Sequence, residues 1–214
     1  LVELLVVIAI LAVLVAFALP ALAGARSKAD LVGGLSSLKQ IGVATSLYAT
    51  DNNQSLPGGL GFLYGQWPRF RPNDTAFLGS YIYPYLGVTP VGWGWQPIKA
   101  MAGPAWWRMN PDPNNGKFPS YIINRDVKLP DGTIFQPWGD GKSIPPMRLH
   151  AIASAGLMRT WALRDVDAIS SPFGPSAWGG LLPASPLYGK SRLQLNFDMS
   201  AEVVSSSLNT TQNR

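Results

Sequence analysis

LVELLVVIAILAVLVAFALP, residues 1–20, decides how this chain is read. Leu4 to Leu19 is an unbroken run of sixteen apolar residues, with Glu3 just ahead of it and Pro20 just behind. From Leu1 to Ala23 the only charge is Glu3. At about 1.5 Å per helical residue that stretch reaches roughly 30 Å, the thickness of a hydrocarbon core. No Lys or Arg precedes the apolar run, so the basic n-region of a secretory signal is missing from it. A carboxylate beside so many apolar side chains is costly unless it is paired or sits at an interface. The first base of the chain is Arg26, so a partner for Glu3 has to come from elsewhere. The N-terminal ammonium of a neighbouring copy is one such partner. The plainer reading leaves Glu3 as an interfacial acid favoured by the helix dipole.

Working outward, residues 25–50 are more polar. Leu31, Leu35, Leu38, Ile41 and Tyr48 fall mostly three or four apart, and Arg26, Lys28, Asp30, Lys39 and Gln40 fill the remainder. This predicts one long helix over 1–52, about 75 Å if straight. Residues 1–23 are apolar all round, and 24–52 are amphipathic and pack on a head. Pro20 removes a backbone hydrogen bond and crowds the carbonyl of Ala16. With Gly24 nearby, a kink or local unwinding is expected there. Gly33, Gly34 and Gly42 each cost about 1 kcal/mol relative to alanine. Close packing is the reason expected for Gly42.

The N-terminal residues Leu1 to Leu11, followed by Pro20-Ala21-Leu22-Ala23, resemble the prepilin motif of type IV pilins and type II secretion pseudopilins. Leu38-Lys39-Gln40-Ile41-Gly42 through Leu47-Tyr48-Ala49-Thr50-Asp51-Asn52 resembles a bacterial branch with a C-terminal Asp-Gly-His-type motif. Here Asp198-Met199-Ser200 stands at that motif, so no role is carried over from it. The resemblance implies cleavage of a basic leader by a prepilin peptidase and methylation of the new N-terminus. It further implies extraction from the inner membrane by an assembly ATPase machinery into a homopolymer, an extracellular or periplasmic filament. The leader, its glycine and the first two mature residues of the family pattern are expected upstream of Leu1. Subunit assembly would run through Glu3, Leu4, Leu5, Val7, Ile8, Leu11, Leu14 and Phe17, with Pro20 and Gly24 as the helix break. The expected function is a major pilin-like structural subunit. The alternatives are a pseudopilin of a secretion or DNA-uptake machine and a membrane-tethered glycan-binding module.

The remainder reads as an α+β head. Residues 53–61, with Pro57-Gly58-Gly59, form a linker by composition. Residues 62–205 carry short β signals between Pro/Gly/Trp-rich loops, and 206–214 form a polar tail. Arg148–Ile152 and Leu157–Arg164 are strand candidates. Leu193, Leu195 and Phe197 alternate with Gln194, Asn196 and Asp198, predicting a half-buried strand that turns at Met199-Ser200-Ala201 into Glu202-Val203-Val204. A small antiparallel sheet on the amphipathic half-helix follows. All eight tryptophans lie between Trp67 and Trp178, as core anchors or as contacts between subunits.

Chemistry is sparse. With one histidine, His150, and no cysteine, a catalytic triad has a single candidate base and a transition-metal cluster lacks ligands. A non-catalytic protein without a cofactor is expected. If calcium binds, the candidates are Asp165, Asp167 and Asp198, or the loop of Asn110, Asp112, Asn114 and Gly116. The net charge of +5 comes from scattered residues rather than a basic tract, which points away from nucleic acid without excluding it. Asn53, Asn73 and Asn209 each open an N-x-S/T triplet, a glycan acceptor pattern that is common by chance.

Overall fold

Half the hydrophobic content of α1, Val2–Asp51, packs on nothing, and the other half organises the head. The computed structural model describes residues 2–60, 64–112 and 116–207. Helix α1 runs through Pro20 without interruption, so the expected unwinding there is absent. The flanking Ala, Leu and Val residues keep the rest of the hydrogen-bond ladder intact, and one missing donor is tolerated. The helix stops where Asn53 and Gln54 turn left-handed (φ 54° and 61°). The Gln54 N–H then caps the Ala49 carbonyl at 2.7 Å, and the Asn52 amide donates to Tyr48 O.

The head centres on a five-stranded antiparallel sheet. Its strands are β1 (Gly65–Gln66), β4 (Tyr121–Ile123), β7 (Trp161–Asp165), β8 (Ser191–Asn196) and β9 (Ala201–Ser205), in that spatial order. Two ribbons flank it, β2 (Arg69–Phe70) with β3 (Gln96–Pro97), and β5 (Val127–Lys128) with β6 (Ile134–Phe135). Short helices α2 (Gly79–Ile82), α3 (Pro104–Met109) and α4 (Leu149–Ser154) complete it.

The buried face of α1 is Asp30, Gly34, Ser37, Leu38, Ile41, Gly42, Ala44, Thr45 and Ala49, a stripe at helical spacing. Leu31, Leu35 and Tyr48 pack beside it. Leu193 and Leu195 of β8 meet this face in one core with Trp138 and Phe197. Ile122 points to the other side of the sheet, into a second cluster with Trp106, Phe118, Val166 and Leu182. A Cβ on Gly42 would stand 3.0 Å from both Leu195 Cδ1 and the Met199 carbonyl. A Cβ on Gly33 would stand 2.7 Å from Pro104 Cγ. These glycines let the helix approach the head.

Several expectations need correction. Arg148–Ile152 is not a strand: Leu149–Ser154 forms α4, with His150 exposed on it. Leu149 and Ile152 lie three apart and alanines favour the helix, so the helical period wins. Of Leu157–Arg164 only the end is strand, because the chain turns through Gly156 and Thr160 before β7 begins. Strand β8 is buried on both faces rather than one, since Arg192, Gln194 and Asn196 are covered as well. Residues 53–60 are no free tether, because Leu56 and Leu60 are fully buried and the Leu56 N–H donates to Met147 O. Residues 61–63 and the tail beyond Ser207, with Asn209, lie outside the described residues.

Candidate functional site

The first candidate surface is the apolar half of α1. Leu4, Leu5, Val7, Ile8, Leu11, Leu14 and Phe17 are all exposed, Phe17 at 75%. None of the most hydrophobic eighteen-residue window is buried, and the helix is long and apolar enough to cross a membrane. Each such side chain gains about 1.5–3 kcal/mol on leaving water, so this surface requires lipid or protein around it. Glu3 is exposed and makes no ion pair among the described residues. Pro20 and Gly24 are exposed too, and a Cβ on Gly24 would meet nothing within 4 Å.

The second feature is the joint where α1 enters the head. Arg108 of α3 clasps Asp30 with both terminal guanidinium nitrogens, Nη1 to Oδ1 at 2.6 Å and Nη2 to Oδ2. Ser37 Oγ donates to Ala102 O at 3.1 Å, and far up the helix Tyr85 Oη donates to Asp51 Oδ2 at 2.8 Å. The Tyr188 hydroxyl and Leu193 Cδ1 occupy the space that a Cβ on Gly34 would take.

Beneath the joint lies a buried polar cluster. Asp165 is opposite Tyr121 in the β4–β7 register, on the helix-facing side of the sheet. Its Oδ1 accepts the Leu193 N–H at 2.9 Å, while its Oδ2 and the Tyr121 hydroxyl have no hydrogen-bond partner among the described residues. Burial pushes the Asp165 carboxyl up to about 8, and the nearby Asp167 charge acts in the same direction. Burial also raises Tyr121 and Tyr188, with Asp165 adding to both. Asp167 differs because it is paired. Arg192 Nε donates to its Oδ2 at 2.7 Å, both side chains being almost fully buried. Burial alone would raise Asp167, but Arg192 and the Ser170 and Ile169 N–H groups outweigh it and hold the carboxyl below its usual value.

On the outer side of the sheet, Ile122, Arg164, Gln194 and Glu202 stand in one row across four strands. Arg164 donates to Gln194 Oε1 and stacks on Trp161. Burial first, then the Arg192 charge, lower Arg164 to about 10.

The three acids considered for calcium do not converge, and no group of three acidic or histidine ligands exists among the described residues. Asp198 caps its own turn, accepting Ser200 N–H at 2.9 Å, and pairs with Arg159. Burial would raise it, yet the Ser200 and Arg159 contacts hold it low. In the other loop Asn110 is committed to the fold: it accepts the Lys117 N–H and donates to Trp106 O. Asn114 lies outside the described residues, and the open cleft of about 420 Å³ there is lined by Asn110, Asp112 and Lys117.

The tryptophans divide. Trp106 and Trp138 are core, whereas Trp93 is 77% exposed and Trp95 stacks against Arg69 and Arg71. Sequence reading placed Asp30 among the polar residues of the helix and Asp165 among the calcium candidates, and foresaw the burial of neither. Asp30 had a usable signal, since it lies in phase with Leu38 and Ile41 on the face destined for burial. Asp165 had none, because its burial is set by α1 lying across the sheet.

Fold and surface together define a class: a membrane-length helix, bare along its apolar half, carrying a small α+β head on the other half. No protein-family model, curated protein or solved structure matches the chain.

Proposed function

We propose that this chain is a structural subunit that polymerises through α1 into a type IV pilus-like filament, held in the inner membrane before assembly and outside it afterwards. One observation carries the reading. A single unbroken helix is bare over 2–29 and locked into a head over 30–51. This arrangement is compatible with a pilin-like fold. Lipid tails are as apolar as leucine, so moving the bare half from bilayer to a bundle of like helices changes its burial little. A motor, rather than intrinsic affinity, would then control when subunits join. The partners implied are other copies of the chain, a prepilin peptidase and an assembly ATPase.

Electron microscopy of surface material from cells making the full-length protein tests this. Fibres built from the chain are expected, and their loss in Glu3→Ala with unchanged membrane levels. Monomers only, with the native N-terminus intact, would sink the proposal. Short fibres confined to the periplasm would favour a pseudopilin. The exposed Trp93 beside Trp95 favours a second reading, a tethered glycan binder, in which Glu3→Ala leaves binding intact.

A further inference from the structure

Six aromatic rings of the head touch in sequence: Trp95, Phe77, Trp67, Trp178, Phe173 and Tyr64. Consecutive centroids lie 4.9–6.5 Å apart, and every contact is edge to face. Phe77 is buried and supports the row. Phe173 is 56% exposed, and Trp67, Trp95, Trp178 and Tyr64 are half-buried, so a run of ring surface stays in contact with water. Two residues before Trp95, Trp93 is 77% exposed. Its loop is pinned at both sides by one side chain: Gln96 Oε1 accepts the Val91 N–H and Gln96 Nε2 donates to Gly92 O, each at 2.8 Å. Trp178 is held too. It sits at φ 50° and ψ 40°, where a bulky side chain stays only when its surroundings impose it. A Cβ on Gly65 would stand 3.0 Å from Trp178 Cζ2, so a glycine in β1 makes room for the indole. The row is preorganised rather than collapsed.

The charges along the row select its ligand. The Arg69 guanidinium carbon lies 5.6 Å from the Trp67 ring centroid and 4.7 Å from that of Trp95, Arg71 lies 5.0 Å from Trp95, and Arg125 lies 4.6 Å from Tyr64. Two of these arginines bring a carboxylate with them: Arg71 pairs with Asp74 at 3.0 Å and Arg125 with Asp126 at 2.7 Å. A nucleic acid or an anionic bilayer draws its affinity from uncompensated cations and here meets two acids. The core of a protein interface is depleted of charge, whereas here charged groups lie along the rings themselves. A neutral sugar chain fits all three features. Its C–H faces lie on aromatic rings, and its hydroxyls both accept from guanidinium N–H groups and donate to carboxylates. We infer that this row is a binding platform for an extended, neutral, β-1,4-linked polysaccharide, its sugar rings stacked from Trp93 and Trp95 toward Tyr64. This rests on the glycan-binding reading and gives it a site. It needs no polymerisation, so a fibre subunit and a tethered head can carry it equally.

The test titrates the full-length protein, in a detergent without a sugar headgroup, with cellohexaose and chitohexaose. Tryptophan emission and calorimetry follow the binding. A saturable response to at least one hexasaccharide, with a Kd of about 1 mM or tighter, is expected. Trp93→Ala, Phe173→Ala and Trp178→Ala should each raise that Kd at least about fivefold. Trp93 and Phe173 are exposed, so their removal leaves the fold intact, and an unchanged urea midpoint checks this. Val43→Ala, on the outward face of α1, should leave the Kd unchanged. Sugar binding that survives all three ring substitutions overturns the site and leaves the glycan reading standing. No response to either hexasaccharide overturns both. A response to oligothymidine or to phosphatidylglycerol vesicles in place of the sugars, lost in the same variants, overturns the ligand class.

Discussion

Replacing Asp165 by asparagine should make the protein more stable, and the gain should depend on pH in one direction. The carboxyl titrates near 8 in the fold against 3.8 for the free side chain. Below about pH 4 it is protonated in folded and unfolded chains alike and costs nothing. As pH rises, the unfolded chain ionises it first, while the folded chain holds the proton until about 8. Stability is therefore lost progressively across that window, at about 1.4 kcal/mol per pH unit. At pH 7 the loss is on the order of 4 kcal/mol. Asparagine keeps the oxygen that accepts the Leu193 N–H and places an amide near the Tyr121 hydroxyl. Its own imperfect pairing returns part of the gain, so about 2–4 kcal/mol at pH 7 is expected, or roughly 5–15 °C in Tm for a chain this size. Urea denaturation of the full chain in detergent micelles, followed by the head tryptophans between pH 4.5 and 8, measures it. The wild type should weaken with rising pH and the variant should stay nearly flat. Carboxylates held low, such as Asp167 and Asp198, act below about pH 4 and do not blur the window. Parallel curves for the two proteins, or a variant weaker than wild type at pH 7, would refute the reasoning.

Two glycines in one helix should respond with opposite signs. Gly24→Ala meets open space and gains about 1 kcal/mol of helix stability, visible as slower amide exchange around residue 24. Gly34→Ala drives a methyl to 2.5 Å from Leu193 Cδ1 and into the Tyr188 hydroxyl, costing about 1–3 kcal/mol in urea denaturation. Asp167→Ala withdraws the carboxylate that Arg192 grips while almost fully buried, and should cost about 3–5 kcal/mol, with part recovered by adding Arg192→Met. Arg108→Ala should cost only about 1–2 kcal/mol, since its side chain is 40% exposed, but should speed amide exchange at Asp30–Gly34, where α1 leaves the head.

Composition and periodicity carried the helix from Val2 to Asp51, because sixteen apolar residues followed by a three-four pattern admit little else. The β8–β9 hairpin was legible from Leu193 onward for the same reason. Residues 148–152 were misjudged as strand because a five-residue window contains too few positions to separate the two periods. Pro20 does not interrupt the helix: its local cost is real, but the helix formers around it carry the element through.

What the sequence by itself determined is the apolar half of α1 and its lone acid, since these depend only on residue type and helical phase. Only the tertiary structure decided that Asp30 meets Arg108, that Asp167 meets Arg192 and that Asp165 is left under the helix with one oxygen unpartnered among the described residues. Desolvation and pairing are set by which distant segments come together, here separated by 78, 25 and 28 residues for Asp30–Arg108, Asp167–Arg192 and Asp165–Leu193. No local pattern in a chain encodes those meetings.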